Sequence, residues 1–131
     1  MKMHLIQLFV NLNLLEFQLL SDFYILKMKM NAKYLGGYSA DSQVIKWFWH
    51  FFDNLNEDKK IVALRFITGS ASIPVGGLKS VIIRFLKVDD VDQLPISHTC
   101  FSQIDLPDYK TYDELVMKCK EAFPNMRFGF T

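Results

Sequence analysis

The sequence predicts an α+β fold in which helices flank a small sheet. Three segments carry apolar residues at helical spacing behind a polar residue suited to begin a helix, and two shorter segments are rich in β-branched and aromatic residues. The chain has 131 residues, of which 50% are hydrophobic and 15% aromatic. That length supports one modest core, so we expect a single domain.

Charge and cysteine content exclude several classes of function. Lys and Arg total 15 against 14 for Asp and Glu, so the net charge of +1 offers no electrostatic basis for binding nucleic acid. The two cysteines are too few for a disulfide scaffold and lack the spacing of zinc ligands. We therefore expect no metal and no cofactor, and we expect the protein to be located in a reducing compartment, the cytoplasm or the nucleus.

Residues 1–28 form an apolar segment whose polar interruptions are too frequent for a membrane span. Apolar residues recur in it at intervals of three and four, which indicates an amphipathic helix that needs an apolar neighbour. Three origins stay open for the segment: foreign sequence, a truncated gene product or a divergent helix. The apolar stripe consists of Leu5, Leu8, Phe9, Leu12, Leu15 and Leu19.

The first helix of the remaining chain is predicted from about residue 42 to 52. Ser39 or Asp41 is suited to cap its amino terminus. Its apolar and aromatic residues follow helical spacing, so Trp47 and Trp49 are expected in the core and not in a ligand site.

Two further helices are predicted from their capping residues. Asn56 or Asp58 begins one, which packs through Ile61, Val62, Leu64, Arg65 and Phe66 and ends at Thr68-Gly69-Ser70. The other begins with the capping box Thr111-Tyr112-Asp113-Glu114 and runs to about Phe123, before Pro124. Leu115, Val116, Cys119 and Phe123 share one side of that helix, so Cys119 is expected to be a core residue.

Two strands complete the predicted fold. The run from Val81 to Val88 is β-branched and aromatic and is short enough for a strand buried on both faces. The second strand is predicted near His98 to Gln103, with Cys100 at the junction between loop and strand.

The segment from Leu94 to Pro107 is the candidate for chemistry, because two prolines bracket a cysteine that has a histidine and an aspartate nearby. A lone cysteine in an ordered segment is nevertheless more often a buried, inert residue than a nucleophile. The spacing of His98 and Cys100 does not by itself make a dyad. From the residues alone, a structural and a reactive role both stay open.

Several motifs stand in order between about Lys29 and Thr131. The motif around the cysteine is Leu94-Pro95-Ile96-Ser97-His98-Thr99-Cys100-Phe101, followed by Asp105-Leu106-Pro107 and Tyr109. The others are Gly36-Gly37-Tyr38-Ser39, Val44-Ile45-Lys46-Trp47-Phe48-Trp49, Phe66-Ile67-Thr68-Gly69-Ser70, Ile73-Pro74-Val75-Gly76-Gly77 and Phe128-Gly129-Phe130. Together these motifs resemble the carboxy-terminal lobe of the HECT-type ubiquitin-protein ligases. The resemblance implies a small mixed sheet and a domain over residues 29–131.

The resemblance also implies an enzyme, a HECT-type E3 ubiquitin transferase. Cys100 would accept ubiquitin from a conjugating enzyme as a thioester and pass it to a lysine of a protein substrate. Nearby dipoles or His98 are expected to raise the reactive thiolate fraction, and a histidine in this position more often belongs to the local hydrogen-bond scaffold than to proton transfer. Thr99 is expected to hold the thioester carbonyl, and Asp105 to orient the lysine amine, accept its proton or only fix the loop. Phe128 is implied in ubiquitin transfer.

Two features of the sequence favour an alternative, a catalytically impaired ubiquitin-binding or regulatory fragment. Ser72 stands where family members commonly carry an arginine. The resemblance also covers only one lobe, so we expect the conjugating enzyme to dock on an amino-terminal lobe that this sequence lacks. An unrelated cysteine hydrolase is a third hypothesis, which would recruit its histidine from His4, His50 or His98.

Overall fold

A computed structural model of the chain describes residues 14–69, 82–124 and 126. The described part contains four α-helices, four strands and one 3-10 turn, which confirms the predicted α+β class. In chain order they are α1 (Leu14–Asn31), β1 (Lys33–Leu35), α2 (Gln43–Asp53), α3 (Glu57–Thr68), β2 (Arg84–Val88), β3 (Ile96–His98), the 3-10 turn (Thr99–Phe101), β4 (Gln103–Pro107) and α4 (Tyr112–Ala122).

The described residues fall into two compact units. Residues 14–32 and 82 belong to one, and residues 33–69, 83–124 and 126 belong to the other. In the first unit α1 buries Ile25 and Met28, whereas Leu19, which was predicted on the buried stripe, is 61% exposed. Leu5, Leu8, Phe9 and Leu12 lie outside the described residues. Helix α1 runs without a break through residues 28 and 29 to Asn31. The predicted domain boundary between these two residues stays a prediction.

The second unit is built on a mixed four-stranded sheet in the order β1-β2-β4-β3. Strands β1, β2 and β4 are parallel, and β3 is antiparallel to β4. Ile83 and Phe85 are fully buried, but Arg84 and Lys87 are only half-buried. The prediction of a strand buried on both faces was therefore wrong, because the face of Ile83 and Phe85 meets the core, whereas Arg84, Leu86 and Val88 on the opposite face are only half-buried.

The core lies between this sheet and α2. Val44, Ile45, Phe48, Phe51 and Phe52 are buried, and the ring of Phe48 meets that of Phe85 edge-on with centroids 5.2 Å apart. Trp49 is buried as predicted, whereas Trp47 is half-buried. The helix begins after Ser42 and not after Ser39 or Asp41, whose predicted capping role was wrong. The Ser39 hydroxyl instead accepts a hydrogen bond from the Asp41 amide, at 3.1 Å.

The other two helices begin at the capping residues that the sequence predicts. The Asn56 side chain accepts a hydrogen bond from the Lys59 amide at 2.8 Å, and the Thr111 hydroxyl accepts one from the Glu114 amide at 3.1 Å. Helix α4 buries Leu115 and Cys119, and Phe123 is buried just after it, as predicted. Helix α3 buries Ala63, Leu64 and Ile67. Arg65, predicted on that face, is exposed, and Ile61, Val62 and Phe66 are half-buried.

Within the described residues, no helix combines the length and the apolar character that crossing a bilayer requires.

Candidate active site

Cys100 lies in the middle of the 3-10 turn that joins β3 to β4. The predicted strand from His98 to Gln103 was therefore wrong: β3 ends at His98 and β4 begins at Gln103. The 3-10 turn between them reverses the chain direction, so that β3 and β4 pair antiparallel on either side of the cysteine. All three residues of the turn are exposed, and Cys100 is a free thiol. A reagent in solution can reach this residue.

The end of the turn is fixed to the central strand β2. The backbone N–H of Ser102 donates to the Thr99 carbonyl at 3.2 Å and closes the turn. Ser102 has φ 50°, the left-handed conformation that a residue other than glycine seldom adopts. Its carbonyl accepts a hydrogen bond from the Arg84 amide at 2.9 Å, which begins the parallel ladder between β2 and β4. The Arg84 guanidinium also donates, through Nη1, to the Phe101 carbonyl at 3.1 Å.

The start of the turn meets the end of α3. Gly69 caps that helix in the left-handed conformation, with φ 72°, and its amide donates to the Arg65 carbonyl at 2.8 Å. A Cβ atom on Gly69 would lie 2.7 Å from the Cβ of Thr99, well inside van der Waals contact. Glycine is therefore required both by the helix cap and by the close approach of Thr99.

His98 and Asp105 form a close pair beside the turn. His98 Nε2 lies 2.8 Å from Asp105 Oδ2, and the Gln103 side-chain amide donates to the other carboxylate oxygen at 3.0 Å. The three residues share one face of the β3-β4 pair, because His98 is opposite Gln103 and side chains alternate along a strand. An ionised carboxylate only accepts hydrogen bonds, so Nε2 carries the proton in this pair, and in the neutral imidazole the lone pair is then on Nδ1.

The structure thus brings together His98 with Asp105, and Thr99 with Cys100, as neighbours in one segment. Phe128 and Ser72 lie outside the described residues, as does His4. His50 contacts the side chain of Asn54 and the ring of Tyr112.

Within residues 14–69, 82–124 and 126, no group of three or more His, Cys, Asp or Glu side chains is arranged to hold a metal ion.

Sequence reasoning missed two residues that hold the turn, Gly69 and Arg84. Gly69 is predicted as a helix stop and belongs to the motif Phe66-Ile67-Thr68-Gly69-Ser70, but its contact with Thr99 depends on how α3 packs. Arg84 interrupts the apolar run from Val81 to Val88. This position is its one signal in the sequence, because an arginine within a buried strand usually has a specific partner.

Comparison with known proteins identifies the fold around this turn. The family model described as "HECT-domain (ubiquitin-transferase)" matches residues 5–131, which is nearly the whole chain. The chain belongs to the HECT-domain family. The family model matches this HECT chain from residue 5, whereas the resemblance by motifs begins only at about residue 29.

Several curated proteins are similar to this HECT chain over most of its length. E3 ubiquitin-protein ligase NEDD4 of Mus musculus is 34% identical over 118 residues, which is 85% of this chain and 13% of that protein. E3 ubiquitin-protein ligase ptr1 of Schizosaccharomyces pombe is 36% identical over 124 residues, 86% of this chain and 4% of that protein. E3 ubiquitin-protein ligase HECW1 of Homo sapiens is 36% identical over 99 residues, covering 70% and 6% respectively. The HECT chain therefore spans only a small fraction of these relatives.

Proposed function

We propose that the chain is a ubiquitin-transfer lobe whose nucleophile is Cys100. The observation that carries this proposal is a free, exposed thiol in a turn that is fixed at both ends, within a chain of the HECT-domain family. The other cysteine is fully buried on α4, where no protein-sized donor reaches it. Cys100 is thus the one of the two cysteines suited to exchange with a thioester carried by another protein.

The first proposed step is thioester exchange. The Cys100 thiolate attacks the carbonyl carbon of the ubiquitin carboxy terminus, which a conjugating enzyme carries on its own cysteine. The new bond joins Cys100 Sγ to that carbon, the old carbon–sulfur bond breaks, and the conjugating enzyme leaves as its thiolate. The two thioesters are similar in energy, so the step needs positioning more than driving force. The proton of Cys100 must leave first, because the thiolate is the nucleophile.

His98 and Asp105 support this chemistry. The carboxylate of Asp105 holds the imidazole in one tautomer and orientation, which leaves Nδ1 as the ring atom able to accept a proton. Both carboxylate oxygens already accept hydrogen bonds from side chains, Oδ2 from His98 and Oδ1 from Gln103. We therefore favour a role for Asp105 in orienting His98 over direct proton transfer from the lysine amine. Thr99, packed against Gly69, holds the thioester carbonyl near the turn.

The second proposed step transfers ubiquitin to a substrate lysine. The lysine ammonium first loses one proton to solvent. The neutral amine then attacks the thioester carbon, the carbon–sulfur bond breaks, and Cys100 leaves as the thiolate. The nitrogen passes its second proton to that thiolate or to solvent, which leaves the isopeptide bond. The partners are ubiquitin, a conjugating enzyme that docks on a lobe outside this chain, and a protein substrate. The proposed location is the cytoplasm or the nucleus, whose reducing conditions suit an exposed free thiol.

A single-turnover assay tests the proposal. The chain is mixed with ubiquitin carried either on a conjugating enzyme or as the thioester of a small thiol such as 2-mercaptoethanesulfonate, which needs no docking lobe. We expect a ubiquitin adduct that thiol reductants remove, absent from Cys100→Ala and retained in Cys119→Ala. An adduct that persists in Cys100→Ala would refute the site. Ubiquitin binding without any adduct from either donor would instead support a binding or regulatory fragment.

A further inference from the structure

Among the described residues outside the Cys100 segment, Arg84 makes two hydrogen bonds to the end of the turn. It stands at the start of the central strand β2 and bonds two consecutive carbonyls that follow the cysteine. Its backbone amide donates to Ser102 at 2.9 Å, and its guanidinium donates to Phe101 at 3.1 Å. The first bond belongs to the sheet ladder and needs no particular side chain. The second exists only because residue 84 is a long, charged donor.

The guanidinium bond acts on a strained part of the chain. Ser102, the residue after the bonded carbonyl, has φ 50°. A residue other than glycine stays in that conformation only when contacts from the surrounding structure hold it there. The Phe101 carbonyl belongs to the peptide unit that enters this residue. A charge-assisted hydrogen bond to that carbonyl fixes the orientation of the peptide plane one residue beyond Cys100.

Together, Arg84 and Gly69 hold the turn from opposite ends. Gly69 lets the end of α3 lie against Thr99, before the cysteine, and Arg84 bonds Phe101 and Ser102, after it. The partner of the guanidinium is a neutral carbonyl and not a carboxylate, so the bond does not contribute an ion pair. Its effect is to restrict where the backbone of the turn, and with it the cysteine, can move.

We propose that Arg84 is a positioning residue for acyl transfer, whose guanidinium holds the turn so that the Cys100 sulfur faces the incoming thioester carbonyl. This inference rests on the proposed function of Cys100. Attack on a thioester requires a defined approach of sulfur to the carbonyl carbon, and loss of that alignment lowers the rate of the chemical step without weakening donor binding. A small flexible alkylating reagent needs no such alignment.

The test compares Arg84→Met, Arg84→Lys and a control, Lys87→Met, on the same strand. Lys87 forms an ion pair with Asp108, with 3.7 Å between Nζ and Oδ2, and the proposal assigns it no role. Each variant of the full chain receives the ubiquitin thioester of 2-mercaptoethanesulfonate over a range of concentrations. The measurements are the limiting rate of adduct formation, the donor concentration that gives half that rate, the rate of Cys100 alkylation by iodoacetamide, and the melting temperature.

We expect Arg84→Met to lower the limiting rate about tenfold, with the half-saturating donor concentration and the alkylation rate within about twofold of the parent chain. Arg84→Lys keeps a cationic donor and should recover part of the loss, and Lys87→Met should match the parent chain.

A limiting rate in Arg84→Met equal to that of the parent would overturn the inference and leave Cys100 as nucleophile intact. Equal losses of adduct formation and alkylation, with a lower melting temperature and no recovery in Arg84→Lys, would show a merely structural role. No adduct from the parent chain would overturn the proposed function itself, and the inference with it.

Discussion

The two cysteines of the chain occupy opposite environments. Cys100 is exposed, in a short turn between two strands, whereas Cys119 is fully buried on the inner face of α4. Burial raises the pKa of the Cys119 thiol, because the thiolate would lie among apolar side chains without water. The comparison teaches that the same functional group becomes a candidate nucleophile or an inert core residue through its position in the fold alone.

The two regions are also held in different ways. Cys119 is fixed by side-chain packing, between Leu115 one turn before it and Phe123 one turn after it, both fully buried. The turn of Cys100 is fixed by the close approach of Gly69 to Thr99 and by hydrogen bonds from the Arg84 amide and guanidinium to its backbone carbonyls. Hydrogen bonds to the backbone keep the turn in place while its side chains stay exposed.

The largest expected effect is the difference in thiol reactivity. Under native conditions at neutral pH, we expect iodoacetamide to label Cys100 roughly a thousandfold faster than Cys119, because Cys119 must wait for an opening that costs several kcal/mol. Mass spectrometry of proteolytic peptides measures the two rates separately. In denaturant the rates should become similar. Comparable labelling of both cysteines in the folded chain would contradict the assignment of Cys119 to a closed core.

The pair His98-Asp105 sharpens the comparison, since Cys119 has no counterpart to it in the described structure. Asp105→Asn keeps the shape of the side chain but no longer obliges Nε2 to carry the proton, so His98 can adopt the other tautomer. We expect ubiquitin adduct formation to slow by about a hundredfold, the lower end of the range that general acid–base catalysis contributes.

Asp108→Asn is the matched control, because Asp108 is another carboxylate a few residues along the chain, paired with Lys87. It should leave the rate unchanged. A profile of adduct formation against pH, measured for both variants, separates loss of proton transfer from general damage. If Asp105→Asn kept both the rate and the profile of the parent chain, His98 and Asp105 would be only a structural pair.

The backbone contact at Gly69 is expected to have a smaller effect. Gly69→Ala adds a Cβ atom 2.7 Å from that of Thr99 and places alanine at φ 72°. Gly36→Ala is the matched control, because its φ of 73° gives nearly the same backbone strain while its Cβ would meet Leu86 and Lys87 instead. Both variants should lose about 1–2 kcal/mol of unfolding free energy from that strain. Only Gly69→Ala should also slow adduct formation, by a few-fold, since it displaces Thr99. Equal adduct formation by both variants would mean that the turn tolerates the displacement.

Local patterns predicted most of the helices and the environment of Cys119. The capping residues Asn56 and Thr111 begin their helices as expected, and the helical spacing of Leu115 and Cys119 identifies the buried face of α4. These features depend on residues within two turns of one another, so the chain near each residue contains the information. The α+β class follows from such elements once they are placed in order.

The geometry around Cys100 was less predictable because it is assembled from distant parts of the chain. The sequence predicted a single strand from His98 to Gln103, where the structure has a 3-10 turn with strands on both sides. The turn depends on Gly69 at the end of α3 and on Arg84 in β2, and no periodicity connects these residues to Cys100. The pairing of His98 with Asp105 follows from the register of β3 and β4, which a single-strand prediction excludes.

The smallest expected effect is the dependence of stability on alkaline pH. An unfolded cysteine loses its proton near about pH 8.5, whereas burial keeps Cys119 protonated in the folded chain. Above that pH the folded state binds more protons than the unfolded state, so the free energy of unfolding falls as pH rises, by about 1 kcal/mol within the first unit. Below about pH 8.5 the protonated Cys119 thiol contributes its full share to the free energy of unfolding. The tyrosines Tyr38 and Tyr109, whose pKa values burial also raises, add the same trend only above about pH 10.

Urea unfolding of the parent chain and of Cys119→Ala between about pH 8 and 10 isolates this effect, because the variant lacks the thiol and keeps both tyrosines. Cys119→Ala should be less stable by about 1–2 kcal/mol at neutral pH, since it removes a buried sulfur from the core. It should then lose less stability than the parent chain as the pH rises, so the difference between the two narrows. A constant difference over that range would mean that Cys119 ionises alike in both states, which is incompatible with a thiol sealed in the core.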